Sequence, residues 1–166
     1  SVGSGMNFGV SSLCVYNGEL YAGGDFSLAG GVSVKNIAKW NGTNWADVGG
    51  GVDFGPVFSL ASHNNNLYVG GDFVVVGGVP LTENIAQWNG TSWDSLGSGL
   101  NNQVYSLCSH NGKLYAGGAF WSTASASTNL MRIGKWNGTQ WDSVGTGIDN
   151  GNVVFALATY NGELYA

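Results

Sequence analysis

Two motifs recur along the chain at a fixed spacing, and this repeat limits what the chain can fold into. A Trp-Asn-Gly-Thr-x-Trp motif begins at Trp40, Trp88 and Trp136, a spacing of 48 residues each time. A tyrosine followed closely by a Gly-Gly pair recurs with it, at Gly23-Gly24, Gly70-Gly71 and Gly117-Gly118. The same tyrosine returns at Tyr165, so the chain holds about three and a half copies of one unit.

Each copy reads as four short strands. The first is an apolar run such as residues 104–108, and a two-residue turn such as Asn17-Gly18 leads to a second strand that ends in the Gly-Gly pair. A variable segment precedes a third strand such as residues 37–40, and a further Asn-Gly turn leads to the fourth, around Trp45. Asn-Gly favours a type I′ hairpin, because both central residues need positive φ. Two hairpins per copy give an antiparallel meander, and a period of about 40 to 50 residues is typical of propeller blades.

We therefore predict an all-β fold, a β-propeller made of four-stranded antiparallel blades, with about 3.5 blades present and the ring incomplete. The blades are expected at residues 1–46, 47–94 and 95–142, and the first half of a fourth blade at 143–166, all in one domain. Because propellers have about four blades or more, these copies cannot close a ring. Bare strand edges would remain at both ends. We expect the chain to belong to a longer protein or to complete its ring with a second chain.

The glycine pairs and the tryptophans have different predicted roles. Glycine at the end of the second strand allows close approach of a neighbouring backbone. The paired tryptophans are expected to bury large area between adjacent blades.

Composition excludes several classes of partner. Only 9% of residues are charged, and five lysines and arginines leave a net charge of −5. With no basic patch, binding to nucleic acid or to an anionic membrane surface is disfavoured. No apolar stretch of about 18 residues exists, so no membrane insertion is expected. The seven Trp, seven Tyr and seven Phe argue against disorder.

The repeated Gly-Gly and tryptophan motifs resemble those of a known family. The Gly-Gly pair that ends the second strand, followed by an aromatic residue and a spaced tryptophan, resembles the kelch repeat of galactose-oxidase-type propellers. Gly-Gly-Asp-Phe (23–26, 70–73) and Asn-Ile-Ala-x-Trp-Asn-Gly (36–42, 84–90) resemble a bacterial relative found in large secreted surface proteins of gliding bacteria, often type IX secretion substrates. The resemblance covers essentially the whole chain and implies a secreted or cell-surface location. The acidic residue that kelch repeats carry near the third strand and the proline after the last tryptophan are missing here.

The segments that differ between copies are expected on one face. In such a blade the 1–2 and 3–4 turns lie on one face of the disc, and the 2–3 loops and inter-blade links lie on the other. The 2–3 loops run from about 27 to 36, 74 to 84 and 121 to 132. Loops on a rigid scaffold commonly carry binding residues, so we predict a ligand surface there, unless the loops only connect blades. The candidate binding residues are Phe8, Asp25, Asp53, Phe54, Asp72, Asn102, Trp121 and Asp149.

The residues whose side chains could take part in catalysis or metal binding are interpreted mainly as structural. Asp25 and Asp72 end Gly-Gly strands and can accept backbone N–H bonds there, or bind a cation or a sugar hydroxyl. His63 and His110 occupy the positions of Tyr16 and Tyr160, which indicates a packing site with a polar tip. Cys14 and Cys108 alternate with alanines, as expected of a small buried site, although a disulfide between copies is the alternative. The Asn-Gly-Thr triplets match the N-glycosylation sequon, but the turn already requires Asn-Gly.

We therefore expect a non-enzymatic binding or scaffold module with a protein or glycan partner, adhesin-like, and with no cofactor and no metal. No nucleophile elbow, Cys-x-x-Cys or His-Glu-x-x-His motif is present. Two alternatives stay open. One is a propeller subdomain of a secreted oxidase or glycan hydrolase whose active site lies elsewhere, and the other is a purely structural spacer or secreted cargo.

Overall fold

The computed structural model describes residues 2–148 and 151–166, which form strands, turns and loops but no helix. The predicted all-β class is confirmed. Most strands fall into three antiparallel sheets of four strands each, and no sheet closes into a ring. The first copy contains β1 (Val10–Tyr16), β2 (Glu19–Gly24), β3 (Leu28–Ala29), β4 (Val32–Ser33), β5 (Ile37–Trp40) and β6 (Trp45–Asp47).

The second and third sheets repeat the first. The second copy contains β7 (Val52–Asp53), β8 (Val57–His63), β9 (Asn66–Gly71), β10 (Val75–Val76), β11 (Ile85–Trp88) and β12 (Trp93–Ser95). The third contains β13 (Val104–His110), β14 (Lys113–Gly118), β15 (Ile133–Trp136) and β16 (Trp141–Ser143), and a last hairpin joins β17 (Ala158–Tyr160) to β18 (Glu163–Tyr165). Strand order is β1-β2-β5-β6, β8-β9-β11-β12 and β13-β14-β15-β16, the predicted meander.

The turns between first and second strands have the predicted geometry. Asn17 and Gly18 have φ of +49° and +76°, and Asn111 and Gly112 have +46° and +70°. Both central residues are left-handed, as a type I′ turn requires. The second copy achieves this with two asparagines, Asn64-Asn65.

The turn before each fourth strand differs from the predicted two-residue hairpin. Trp40 pairs with Trp45, so four residues lie between them. Asn41 Oδ1 accepts hydrogen bonds from the N–H groups of Thr43 and Asn44, both at 2.9 Å. The asparagine therefore acts as the hydrogen-bond acceptor that closes the loop. Among the four loop residues, only Gly42 has positive φ.

Each first strand carries one irregularity, which lies at the contact with the next sheet. The register of β1 against β2 shifts between Val10 and Ser12, and β8 and β13 shift at the matching positions. Ser12 Oγ accepts a hydrogen bond from the backbone N–H of Leu60 at 3.0 Å. The same 3.0 Å bond joins Leu107 N–H to Ser59 and Leu157 N–H to Ser106. The N–H groups of Leu60 and Leu107, which lie on the edge strands β8 and β13, thus find hydrogen-bond acceptors in the preceding sheet.

The two glycines of each pair have different neighbours and different structural roles. A Cβ on Gly23 would lie 2.4 Å from Val57 Cγ1 of the next sheet, so this position makes room for a side chain. A Cβ on Gly24 would lie 2.1 Å from the carbonyl oxygen of Gly9, so this position allows the close backbone approach that the sequence predicted. Gly70 and Gly71 repeat the arrangement, as do Gly117 and Gly118.

The tryptophans fasten each sheet to the link that precedes it. Trp93 is buried, and its Nε1–H donates to the carbonyl oxygen of Val48 at 2.9 Å. Trp141 makes the matching bond to Leu96 at 3.2 Å. Trp88 and Trp93 pack against each other with ring centroids 5.1 Å apart. The pairs Trp88–Trp93 and Trp136–Trp141 pack in clusters that include apolar residues of the preceding copy, whereas Trp40 and Trp45 pack within the first copy.

Candidate functional site

The links between sheets and the 2–3 loops form one connected surface, which we name the loop face: residues 6–9, 27–36, 52–56, 74–84, 100–103 and 121–132. Val52 N–H donates to the carbonyl oxygen of Lys35 in the first loop at 2.9 Å, and Val52 also pairs with Val76 in the second loop. Leu100 repeats this between the second and third loops, donating to Glu83 and bridging to Thr123. Each link thereby joins two successive loops.

Asparagines fix the loops to the links by two kinds of contact. Asn7 Oδ1 accepts from the N–H groups of Ser27 and Leu28 at 3.0 and 2.9 Å. Asn101 does the same for Trp121 and Ser122. At the other end of the first loop, Asn36 has φ of +60° and donates through Nδ2 to the carbonyl oxygen of Val52. These side-chain hydrogen bonds attach the loop backbone to the links at both ends of the first loop.

The three aromatic candidates are exposed on this surface. Phe54 is 81% exposed and Phe8 69%, whereas their link neighbours Val52 and Val57 are fully buried. Trp121 is half-exposed, and the guanidinium of Arg132 lies 6.0 Å from its ring centroid, a cation–π distance.

The polar candidates have mixed surroundings. Asp53 accepts from Lys35 Nζ at 2.6 Å, and Asn102 Oδ1 accepts from the N–H of Gln103 at 2.9 Å. Asp72 accepts from Gln103 Nε2 at 2.8 Å, a side-chain partner rather than the backbone N–H expected at a strand end. Asp25 is exposed. Asp149 lies outside the described residues.

The structure adds an aromatic row that sequence reasoning missed. Phe58 and Tyr105 occupy the irregular positions of β8 and β13, and Phe155 is the equivalent residue of the last copy. Their ring centroids are 5.5 and 5.2 Å apart. Tyr105 Oη donates to Gln103 Oε1 at 2.6 Å, which connects the row to Asp72. The signal in the sequence was an aromatic residue two positions before each Leu-Cys or Leu-Ala pair, where the first copy has Ser11.

Exposed aliphatic side chains on the loop face were also missed. They follow the buried phenylalanines or lie in the 2–3 loops, and they are Leu28, Val32, Val74 and Leu81. All four lie in segments predicted as variable loops, and only the structure shows which apolar residues of these loops are exposed. The loop face therefore offers a mixture of aromatic and aliphatic groups with a few paired charges.

The histidines and cysteines have structural surroundings. His63 is buried, its Nδ1 lies 2.8 Å from Ser109 Oγ of the next sheet, and burial lowers its pKa. This agrees with a packing position with a polar tip. Cys14 and Cys108 are free thiols at half-buried positions, less enclosed than predicted, and burial raises the pKa of both. A raised pKa keeps a thiol protonated and poorly nucleophilic.

Within residues 2–148 and 151–166, no group of three or more His, Cys, Asp or Glu side chains is placed to hold a metal ion. In the same residues no helix is long and apolar enough to cross a membrane. The chain matches no protein-family model and no curated protein.

Proposed function

We propose that this chain is a non-enzymatic β-propeller module of a secreted or cell-surface protein, which binds a partner through its loop face. Three four-stranded antiparallel sheets joined by one repeated contact support the propeller architecture. The kelch-like motifs and the low content of charged residues support the extracellular location. In this proposal the three four-stranded sheets are successive blades of the propeller.

One observation carries the binding role: the loop face holds seven exposed large apolar side chains on a backbone fixed by hydrogen bonds. They are Phe8, Leu28, Val32, Phe54, Val74, Leu81 and Trp121. Isolated exposed apolar residues are normal on proteins, but a group on one surface is typical of an interaction site. Loops that are already hydrogen-bonded to the links before binding lower the entropic cost of binding, since less ordering is required.

The composition of the loop face favours a protein partner. Aromatic residues and arginine are enriched at the centres of protein interfaces, and Trp121 with Arg132 supplies both. The lysine in the first loop is already neutralised by Asp53 at 2.6 Å, so the surface has little net charge to attract a polyanion. A glycan that stacks on Phe54 or Trp121 is the alternative ligand of the same surface.

Binding of the wild-type chain to a panel of cell-surface proteins and to a glycan array tests this function. A double variant, Phe54→Ser with Trp121→Ser, should remove binding while the chain still folds, because Phe54 is exposed and Trp121 is half-exposed. Thr91→Ala, an exposed residue in a 3–4 turn, is the matched control and should bind like the wild type. The proposal fails if both screens are blank, or if the double variant binds its ligand as the wild type does.

A further inference from the structure

The third copy departs from the other two at three neighbouring positions on and beside the loop face. In the first two copies these positions hold an aspartate, a serine or valine, and an asparagine, and in the third they hold Ala119, Trp121 and Arg132. Arg132 donates through Nη1 to the carbonyl oxygen of Ala119, and its guanidinium lies 6.0 Å from the ring centroid of Trp121. The three departures therefore form one cluster, which we name the arginine site.

The backbone of the arginine site matches that of the other copies, so the departures lie in the side chains. The N–H of Arg132 donates to the carbonyl oxygen of Phe120 at 2.8 Å, and Asn36 makes the equivalent bond to Phe26 at 2.9 Å. Arg132 has φ of +74°, close to the +60° of Asn36. Asparagine adopts this left-handed conformation more readily than arginine, so the backbone does not explain why an arginine is present.

The arginine also does not repeat the contacts of the asparagine that it replaces. Asn36 Nδ2 donates to two carbonyl oxygens of the next link, those of Val52 and Gly55, at 3.1 and 2.9 Å. Among the residues that the structure describes, the guanidinium of Arg132 donates only to Ala119, at the end of its own sheet. Attachment of the loop to the link is therefore not the role of this side chain in the described residues.

The exchange of side chains changes the charge of the site from negative to positive. The first two copies carry a carboxylate and a neutral amide at these positions, whereas the third carries Ala119 and the guanidinium of Arg132. Within residues 2–148 and 151–166, no carboxylate forms an ion pair with Arg132, which is half-buried. A guanidinium in such a place is suited to pair with an anionic group of a ligand.

The site is open to solvent for a reason unrelated to the ends of the sequence. Val74, the equivalent of Trp121, is 52% exposed although a complete copy follows it, and Trp121 is 50% exposed. The link after the third copy also reaches this loop, since Ile148 N–H donates to the carbonyl oxygen of Met131 at 2.8 Å. A neighbouring copy therefore does not cover this position of the repeat.

We propose that the arginine site binds a carboxylate side chain of the protein partner, with an apolar side chain of that partner lying on Trp121. This inference rests on the proposed function and specifies the partner as a segment in which Asp or Glu is next to an apolar residue. Charge complementarity carries it. The guanidinium has more N–H donors than the one that Ala119 accepts from, so it can donate in parallel to both oxygens of a carboxylate. Arginine and tryptophan are also among the residues that dominate the binding energy of protein interfaces.

Two matched peptides test the proposal by NMR titration of the ¹⁵N-labelled wild-type chain. One is N-acetyl-Ala-Leu-Glu-Leu-Ala-amide, and the other has glutamine in place of the glutamate. The glutamate peptide should shift the Nε–H resonance of Arg132 and the indole N–H resonance of Trp121. It should bind at least about threefold more tightly than the glutamine peptide, since the pair is charge-assisted and only partly exposed. Added sodium chloride should reduce this difference.

Two variants restore the residues that the other copies have. Ala119→Asp should supply an internal carboxylate to Arg132, and Arg132→Asn should remove the cation, so each should abolish the preference for the glutamate peptide. Both variants should keep the melting temperature of the wild type, because the first two copies carry these residues on the same backbone. Lys113→Asn, which removes the charge of an exposed lysine beside a 1–2 turn, is the matched control and should keep the preference.

Several results would overturn the carboxylate contact. One is a wild type that binds both peptides equally or binds neither, and another is a preference that Ala119→Asp or Arg132→Asn leaves intact. A third is tighter binding of the glutamate peptide by Asp149→Asn, which would show that the carboxylate of Asp149 already occupies Arg132. Galacturonic acid should bind more weakly than the glutamate peptide, because it lacks the leucines, and tighter binding of this sugar would assign the site to an acidic glycan.

The screens for the proposed function are read separately from the peptide titrations. A protein partner that binds Arg132→Asn as tightly as the wild type would leave the proposed function standing and refute the carboxylate contact. Blank screens together with a clear preference for the glutamate peptide would have the opposite meaning. Failure of either proposal can thus be told from failure of the other.

Discussion

Replacing Gly23 with alanine should destabilise the chain by closing the space that the next sheet uses. The new Cβ would lie 2.4 Å from Val57 Cγ1 and 3.3 Å from Leu60 Cγ. Val57 is fully buried, so it cannot turn outward without separating the sheets. Overpacking of this kind costs about 1–3 kcal/mol, and the loss of glycine entropy in the unfolded chain offsets about 0.4–1 kcal/mol. We expect a net loss of about 1–2 kcal/mol in the free energy of unfolding.

A double-mutant cycle shows whether the clash is the cause. Val57→Ala alone should cost about 2 kcal/mol, because it removes two buried methyl groups. Together with Gly23→Ala it removes the 2.4 Å contact and leaves the Cβ of residue 57 at 3.1 Å and Leu60 Cγ at 3.3 Å. The double variant should then be no less stable than Val57→Ala, which corresponds to a coupling energy of about 1–2 kcal/mol.

Urea unfolding followed by tryptophan fluorescence measures all three variants. Gly9→Ala is the control, since no heavy atom lies within 4 Å of its added Cβ and its φ is outside the left-handed region. Equal stability of Gly23→Ala and Gly9→Ala, or simple additivity in the cycle, would refute the view that Gly23 serves sheet-to-sheet packing.

Two further predictions concern buried polar groups. Burial lowers the pKa of His63, so the unfolded chain binds a proton more tightly than the folded one, and stability should fall as pH drops below the ordinary value of 6.5. His63→Tyr, which introduces the residue that the first copy has at Tyr16, should flatten the dependence of melting temperature on pH between about pH 7 and 5, and an unchanged slope would contradict this. Thr82 is fully buried, accepts from Val76 N–H at 3.0 Å and donates to the carbonyl oxygen of Val79 at 2.9 Å. Thr82→Val should cost about 1–3 kcal/mol in urea unfolding, and a neutral effect would show that water replaces the hydroxyl.

The sequence predicted the strands that have strong periodic signals. The third strands begin at the predicted isoleucines and end at the predicted tryptophans, and the Asn-Gly turns between first and second strands have the left-handed geometry that both residues favour. The two-residue strands β3, β4, β7 and β10 lie within segments read as loops and links. A strand of two residues is too short to show an alternating apolar pattern in the sequence. In addition, β7 pairs with β10 only because the link lies next to the second loop.

The inter-sheet contact shows why the rest required the structure. Ser12, Ser59 and Ser106 each come directly before the leucine of a first strand. These serines, and not the neighbouring cysteines, make the hydrogen bonds between sheets. A serine in a strand carries no sign of a partner 48 residues away. The exposure of Phe8, Phe54 and Trp121 agreed with their place in variable segments. Asp53 pairs with Lys35, and Asp72 with Gln103, because an inter-sheet link lies against residues distant in the sequence. A local sequence pattern does not predict such a pairing.

Residue-resolved amide hydrogen exchange tests the repeated sheet-to-sheet contact most directly. The N–H groups of Leu60 and Leu107 lie on edge strands, and each donates to a serine of the preceding sheet at 3.0 Å. Both amides should exchange slowly, and Ser59→Ala should accelerate exchange at Leu107 while leaving Leu60 protected. Fast exchange at both leucines in the wild type, or an equal response of both to Ser59→Ala, would contradict the account.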